Sequence, residues 1–384
     1  MRVLVLDTIH GGTILAEALL RNGDDVDALD VYRGVGLTPE EAAFQKYDLI
    51  TAPVHLDPDY PLLNTATDVI SHHEMTRRLA GLAGPLPDTV IEVTGAKGKT
   101  TTSFALASLF TAKGILHTSR GTFICPDGKL LWKKSITPAS VLLAVEGAKT
   151  HNAEWIVAEV SAGVTGIGTL GILTSADDYR VAAGKKSALA AKLESLAKCK
   201  TVLVPKGVPA KPGWYVIDDL VSVEGTTMSW NGGSFENPLL ALTGYREPLK
   251  CAAAAALILG ADPAKLAGFT AIEGRMQYYL EDGVPFLDNA NSGTTKETTL
   301  DAAAYLRTLI PDKEIILVIG EEHKAVCEGF QDEMIRETIS EIAPLHTITV
   351  SKSDSLNFAQ AKSQAFSYAK EHNAGVLLAV KTWR

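Results

Sequence analysis

Residues 90–102 constrain the fold of this chain more than any other segment. An apolar run at residues 90–93 leads into Thr94-Gly-Ala-Lys-Gly-Lys-Thr-Thr-Thr102, and a helix is predicted from about residue 100 to residue 112. A buried strand that delivers glycines to a helix N-terminus presents backbone N–H groups and the positive end of the helix dipole to an anion. The order strand, glycine loop, Lys-Thr and helix therefore predicts a phosphate-binding loop in a parallel α/β domain.

The residue types of this loop fit a nucleotide with its metal ion. Gly95 and Gly98 allow the backbone to approach phosphate closely, Lys99 can neutralise the β- and γ-phosphates, and the Thr100 hydroxyl can bind Mg²⁺. We therefore expect ATP and Mg²⁺ as cofactors; the alternative is a tight turn with an incidental lysine. The predicted nucleotide contacts in this loop are Gly95, Ala96, Lys97, Gly98, Lys99, Thr100 and Thr101.

The length of the chain predicts more than one domain. Its 384 residues exceed the size at which a single hydrophobic core stops growing. Strand and helix patterns alternate in the first 60 residues, a Pro/Gly-containing stretch follows at 81–87, and a last α/β unit begins near residue 269. We predict an α/β protein with domains 1–85, 86–268 and 269–384.

Composition narrows the class of partner. The formal net charge of −9 argues against nucleic acid, and the apolar run at 251–261 is too short for a bilayer, which takes about 20 residues. The N-terminus lacks the apolar core of a signal peptide, and four separated cysteines favour neither a disulfide framework nor a Cys-rich zinc site. We expect a cytoplasmic protein, a monomer or homodimer, that acts on a small molecule without nucleic acid or membrane.

The loop departs from the common GxxxxGK[ST] pattern because Val93 stands where the first glycine belongs. It resembles instead the GTxGKTT loop of the Mur ligase family, ATP-dependent enzymes that join amino acids to carboxylates in cell-wall precursors and folates. The resemblance continues in order along nearly the whole chain. It implies a Rossmann-like N-terminal substrate domain, a central ATP-binding domain and a Rossmann-like C-terminal domain, with release of ADP and phosphate through an acyl phosphate.

The resemblance also implies roles in the central domain. Ala158-Glu-Val-Ser161 resembles the acidic Mg²⁺-binding segment of the family, which assigns Glu159 to the metal opposite Thr100. Lys192 lies in a segment like the one whose lysine is often carbamylated and helps to hold a second Mg²⁺. Lys185 and Lys186 are rivals for that role, and a solvated helix lysine is the alternative.

In the last domain, Glu273-Gly-Arg-Met276 resembles a segment whose arginine reaches the γ-phosphate, which assigns that role to Arg275. The 288–293 loop resembles the one that meets ribose and phosphates, with Asp288 and Asn291 as the candidates. Lys250 and its neighbours replace the pattern that the family places beside adenine. The adenine contacts therefore stay open.

The N-terminal segment at 48–53 resembles part of the domain that recognises the carboxylate substrate. The residues that we expect to contact substrate are Thr8, His10, Gly11, Gly12 and His55. The alternatives are turn geometry for the glycines and solvation for the histidines.

Segments 6–12 and 51–58, together with the short chain, resemble the Mur-like proteins that act on a nickel tetrapyrrole in methanogens. That resemblance implies phosphorylation of a propionate side chain, which a carbon of the same molecule then attacks to close a carbocyclic ring. The alternatives are a ligase that adds an amino acid or peptide to a carboxylate, and a nucleotide-dependent switch without ligation.

Overall fold

The computed structural model describes residues 1–34, 37–209, 211–322, 330–351 and 356–382. They form an α/β protein, which confirms the predicted class. Contacts divide the chain into two compact units, Met1–Asn237 with Glu247–Gly268, and Pro238–Arg246 with Phe269–Arg384. The three-domain division stays a prediction. Among the described residues, no helix has both the length and the apolar character needed to cross a bilayer.

The N-terminal part of the first unit is a parallel four-stranded sheet. Its strands are β1 (Arg2–Leu6), β2 (Asp25–Leu29), β3 (Tyr47–Ala52) and β4 (Ala66–Ser71), in the order β2-β1-β3-β4. The helices are α1 (Thr13–Arg21), the short α2 (Pro39–Ala43) and α3 (His72–Leu82), with an irregular helical turn at Thr8–Gly12 and a 3-10 turn at Pro61–Asn64. Val3 and Val5 pack on one face of the sheet and Leu4 and Leu6 on the other. Because β1 is buried on both faces, its sequence is a continuous apolar run rather than an alternating one.

The central part of this unit contains an eight-stranded sheet. The eight strands are β5 (Thr89–Thr94), β6 (Gly114–Thr118), β7 (Gly121–Cys125), β8 (Lys129–Trp132), β9 (Trp155–Glu159), β10 (Leu170–Leu173), β13 (Thr201–Val204) and β14 (Trp214–Val216). Two short strands, β11 (Arg180–Val181) and β12 (Lys186–Ser187), lie outside this sheet. The sheet order is β14-β13-β10-β5-β9-β6-β7-β8, and β11 and β12 form a separate hairpin. β5 lies in the middle, parallel to β9 and β10. The end of β5 is therefore flanked by the ends of both neighbours.

The helices of the central part are α4 (Lys99–Ser108), α5 (Ser140–His151), α6 (Ala188–Leu196) and α7 (Ile217–Leu220), with a 3-10 turn at Pro263–Gly268. The 3-10 turn at Pro238–Ala241 belongs to the second unit, and α8 (Thr243–Leu259) begins in the second unit and continues in the first. An antiparallel meander follows α7, formed by β15 (Val221–Glu224), β16 (Thr227–Trp230) and β17 (Gly233–Glu236).

The second unit contains a five-stranded sheet. Its strands are β18 (Gln277–Glu281), β19 (Val284–Asp288), β20 (Ile315–Glu321), β21 (His346–Val350) and β22 (Gly375–Lys381), in the order β18-β19-β22-β20-β21, with helices α9 (Lys296–Leu309), α10 (Asp332–Ile342) and α11 (Phe358–His372). Strands β19, β20 and β22 are buried and parallel, as in the α/β unit predicted for this part of the chain. The sequence reading missed β18, which is antiparallel. Its signal was Asp282-Gly283, both at positive φ, the pair that a two-residue hairpin turn favours.

A buried carboxylate fixes the loop between β9 and β10. Glu92 is fully buried in the middle of β5. It accepts hydrogen bonds from the N–H and hydroxyl of Thr165, at 2.7 and 2.6 Å, and from the N–H groups of Gly166 and Gly168, at 2.9 and 3.0 Å. Burial raises the pKa of Glu92, and these four donors oppose that shift. The loop is thereby tied to the central strand.

We predict that Glu92→Gln destabilises the protein. The new amide group turns an N–H donor toward backbone N–H donors, and each buried polar group left without a partner costs about 1–3 kcal/mol. Denaturant unfolding should show a lower midpoint than wild type. The control is Glu154→Gln at an exposed position, expected to stay within about 0.5 kcal/mol of wild type; equal midpoints for both variants would contradict the prediction.

Candidate active site

The glycine loop between β5 and α4 has the backbone shape that the sequence predicted. Gly95 has φ +149° and Gly98, the N-cap of α4, has φ +82°. A Cβ atom at Gly95 would lie 2.1 Å from Thr174 Oγ1, so only glycine fits there. The Lys99 ammonium donates to the Gly95 carbonyl at 3.1 Å, which folds this side chain back over the loop.

Two hydroxyl residues after β10 hold the loop from the side. Ser175 Oγ accepts from the N–H groups of Ala96 at 3.1 Å and Lys97 at 3.4 Å. The Thr174 hydroxyl contacts the Lys97 carbonyl oxygen at 2.6 Å. Neither residue was among the predicted nucleotide contacts. The signal that could have found them is their place at the end of β10, the strand beside β5.

A cluster of oxygen atoms lies at the first turn of α4. Glu159, at the end of β9, is 2 % exposed, and its carboxylate oxygens lie 3.0 and 3.1 Å from Thr100 Oγ1. The backbone N–H of Ser119 donates to Glu159 at 3.0 Å, and the Ser119 hydroxyl lies 3.2 Å from that of Thr100. Oxygen donors of this kind suit a hard cation such as Mg²⁺. Sequence reasoning paired Thr100 with Glu159 and missed Ser119.

Lys192 lies in α6 with its side chain buried and 1 % of the residue exposed. Its Nζ has no hydrogen-bond partner among the described residues and lies 4.5 Å from the centroid of the Tyr179 ring. Burial, with repulsion from Lys99, lowers the pKa of Lys192 to about 8. This is therefore an amine that is neutral in a large fraction of molecules near pH 8.

The rival Lys185 is in a different environment. Its ammonium group lies 2.6 Å from both Asp57 and Asp59, in the loop after β3. These ion pairs raise the pKa of Lys185, which keeps the side chain charged. Lys186 is exposed. Asp178 accepts hydrogen bonds from Ser187 Oγ and from the Leu189 N–H and so supports the start of α6.

The predicted substrate residues of the N-terminal part lie at one edge of its sheet. Asp7 follows β1, is fully buried and has φ 72°. Its carboxylate lies 2.5 Å from His10 Nδ1 and 3.6 Å from His55 Nε2. The structure thus brings His10 and His55 together around an aspartate that the residue-level predictions omitted. Thr8 lies in the same turn, where its carbonyl accepts from Thr13 Oγ1.

Gly11 and Gly12 are required by the packing of this turn. A Cβ at Gly12 would lie 2.1 Å from the Asp7 carbonyl oxygen, and a Cβ at Gly11 would lie 2.5 Å from Thr137 Oγ1. The Ser161 N–H, two residues beyond Glu159, donates to the Ile136 carbonyl at 2.8 Å. The turn therefore lies close to a segment that is tied to the end of β9.

The predicted residues of the second unit lie in two neighbouring segments. The Asn291 side chain donates to the Gly274 carbonyl at 2.8 Å, which holds the segment of Arg275 against the loop after β19. The Arg275 carbonyl accepts from the Tyr245 hydroxyl at 2.6 Å. Asp288 is 4 % exposed and accepts from the Ala290 N–H. Asn291, Arg275 and Asp288 thus belong to one local structure.

The position predicted beside adenine is occupied by an ion-pair cluster. The Lys250 ammonium lies 2.6 Å from Asp218 and 3.2 Å from Glu247. The charges of these three side chains are paired with each other within the first unit. Contacts to the base stay unassigned.

The C-terminal part of the chain matches a known family model. Residues 278–382 match the model described as "Coenzyme F430 synthetase CfbE, C-terminal domain". The chain is 32% identical, over 85% of each chain, to the coenzyme F430 synthetase of Methanosarcina acetivorans. It is 26% identical to that of Methanocaldococcus jannaschii over 53% of this chain and 52% of the relative.

The fold is also similar to solved structures. The UDP-N-acetylmuramate-alanine ligase MurC of Thermotoga maritima aligns with a TM-score of 0.53 and 13% identity, over 100% of this chain and 96% of the other. At this identity the likeness concerns the fold alone. It confirms the predicted Mur ligase fold.

We predict that Gly95→Ala weakens ATP binding about tenfold or more, equivalent to roughly 1.4 kcal/mol. The new methyl group would collide with Thr174 Oγ1, and φ +149° is unfavourable for alanine. Calorimetric titration with ATP measures the effect. Gly207→Ala is the control, since Gly207 has φ +92° and no atom near its Cβ position; wild-type affinity in Gly95→Ala would contradict the prediction.

Proposed function

Since this chain belongs to the coenzyme F430 synthetase family and is an ATP-dependent ligase with the Mur ligase fold, we propose that it activates a substrate carboxylate as an acyl phosphate. The observation that carries this proposal is the buried pairing of Thr100 with Glu159 at the N-terminus of α4. A hydroxyl and a carboxylate beside a phosphate-binding loop supply the oxygen ligands that a nucleotide-bound Mg²⁺ requires. Bound there, Mg²⁺ neutralises charge on the phosphates.

The chain's own residues have separate tasks in the proposed reaction. The substrate carboxylate oxygen attacks the γ-phosphorus, the bond to the bridging oxygen breaks, and ADP leaves. Lys99 stabilises the negative charge that spreads over the transferred group. We propose Arg275 for the same charge, because a guanidinium can donate two parallel hydrogen bonds, and Asp288 and Asn291 as further nucleotide contacts.

The acyl phosphate then reacts with a nucleophile. A carbon of the substrate gives up a proton to solvent and attacks the carbonyl carbon, the bond from that carbon to the phosphate oxygen breaks, and phosphate is released. We propose that the carboxylate is a propionate of a nickel seco-tetrapyrrole acid and that the carbon belongs to the same molecule. The names of the two relatives as coenzyme F430 synthetases support this choice, and the N-terminal residues Thr8, His10, Gly11, Gly12 and His55 are the proposed substrate contacts.

We further propose that Lys192 is the carbamylated lysine. Carbon dioxide reacts only with a neutral amine, and burial beside Lys99 lowers the pKa of Lys192 to about 8. A lysine in solvent has a pKa of about 10.4, so few such side chains are neutral at pH 8. A carbamate on Lys192 would add two oxygen ligands near the phosphate site and would replace a positive charge that Lys99 repels.

The acyl-phosphate step predicts a definite path for oxygen. When the substrate carboxylate carries ¹⁸O, one labelled oxygen should pass to the released phosphate, because the C–O bond to phosphate breaks in the second step. Mass spectrometry of the phosphate measures the transfer.

Glu159→Gln should reduce turnover by about a hundredfold or more, because the variant lacks the carboxylate charge proposed to hold Mg²⁺ at the phosphates.

The controls separate this scheme from its alternatives. The exposed Glu154→Gln should turn over at the wild-type rate. Formation of AMP and pyrophosphate would refute the scheme. Turnover that requires an amino acid, with no visible absorbance change for any nickel tetrapyrrole, would instead favour the amide ligase.

The carbamate predicts a rise of activity with pH. The low pKa means that the fraction of neutral Lys192 grows from about pH 7 to pH 9, so bicarbonate-dependent activity should increase across that range. Protein exposed to ¹³C-bicarbonate should show a carbamate carbon signal in NMR. Lys192→Arg should lose the signal and Lys186→Arg should keep it; a signal that survives in Lys192→Arg would overturn the assignment.

A further inference from the structure

Asp7, His10 and His55 form a compact group that the ATP chemistry does not use. One potential ligand atom from each of these residues lies within 4.8 Å of the others. Asp7 follows β1, and His55 lies in the loop after β3, the strand beside it. The order β2-β1-β3-β4 reverses the direction of winding between β1 and β3. In open α/β sheets this switch point is where the strand ends leave a crevice for a ligand.

The contact between Asp7 and His10 resembles the second shell of a metal site. Asp7 is fully buried and its carboxylate lies 2.5 Å from His10 Nδ1. Histidines that bind metals commonly donate their other ring N–H to a carboxylate, which fixes the ring and leaves the second nitrogen as the ligand.

Two further imidazoles at this place have unused nitrogens. His55 Nε2 is buried and makes no hydrogen bond with the described residues. His72, the first residue of α3, is 0 % exposed, and neither of its ring nitrogens has a hydrogen bond of ordinary geometry in the described chain. His72 is close enough to Asp7 for the charge of that carboxylate to act on it. Because a buried polar atom without a partner is costly, these nitrogens point to a ligand.

We propose that Asp7, His10 and His55 form a recognition site for a divalent transition-metal ion, and that this ion is the nickel of the tetrapyrrole substrate. Imidazole suits nickel, zinc and copper, whereas Mg²⁺ prefers oxygen, so this site differs in kind from the one at Glu159. A tetrapyrrole supplies four nitrogen ligands to its nickel and leaves one position on each face, so one imidazole of the pair would bind the nickel while Asp7 fixes the orientation of the His10 ring. The choice of nickel rests on the proposed function.

A neighbouring aromatic ring favours a metal held in a planar ring over a bare ion. Tyr32 is 50 % exposed. Its ring stacks on His55 at 6.2 Å between centroids and meets His10 edge-on at 5.5 Å. An exposed aromatic face beside two imidazoles offers a flat apolar surface on which a macrocycle can stack.

The test compares the nickel(II) complex of uroporphyrin with the metal-free ring, in the absence of ATP and Mg²⁺. Wild type should bind the nickel complex about tenfold or more tightly than the metal-free ring, with a shift of the visible band. The double variant His10→Ala with His55→Ala should lose this preference, and Asp7→Asn should weaken it. His346→Ala, which removes an exposed imidazole, is the control, and thermal unfolding checks that each variant is folded.

A second arm uses Ni²⁺ alone, measured by calorimetry. Binding of Ni²⁺ that depends on His10 and His55, without preference for the nickel tetrapyrrole, would support the metal site and overturn its assignment to the substrate. Equal binding of both probes by wild type and the folded double variant would overturn the whole proposal. Neither arm needs turnover, so absence of oxygen transfer to phosphate would refute the proposed function without changing these results.

Discussion

The candidate ATP site depends on the parallel alignment of three strands. β5 ends at the glycine loop, β9 ends at Glu159, and β10 ends just before Thr174. Because the strands are parallel and adjacent, their carboxyl ends meet at one edge of the sheet, and hydrogen bonds there join residues from 59 to 80 positions apart in sequence. The four donors to Glu92 lock the middle strand to the loop that leads into β10. These hydrogen bonds fix the loop between β9 and β10 in the absence of any ligand.

The sequence predicted the site best where the backbone conformation requires a particular residue type. Gly95, Gly98 and the Lys99-Thr100 pair follow directly from the needs of a strand-to-helix turn that binds phosphate, and the structure has that turn. The link between Thr100 and Glu159 came from the order of family-like segments. Ser119, Thr174 and Ser175 could not be found this way, because a hydroxyl residue carries no local signal until the order of strands is known.

The same limit applies to the N-terminal turn. The sequence predicted a substrate site from the residue types of His10, Gly11, Gly12 and His55. Asp7, in contrast, has the sequence context of an ordinary residue at the end of a strand. Only the pairing of β1 with β3 makes it the common neighbour of two histidines. In the second unit, the predicted Arg275, Asp288 and Asn291 do share one local structure, but the missed strand β18 shows that a two-residue hairpin signal was present and overlooked.

Ser175 occupies hydrogen-bond donors of the glycine loop that a phosphate group would otherwise use. Its hydroxyl accepts from the N–H groups of Ala96 and Lys97, so a phosphate oxygen that binds these groups exchanges one acceptor for another. The net gain per bond is smaller than for vacant donors, and the loop stays satisfied after a nucleotide leaves. Under the proposed chemistry, this exchange reduces the free energy that is lost when the nucleotide product leaves, and the loop keeps its hydrogen bonds for the next cycle.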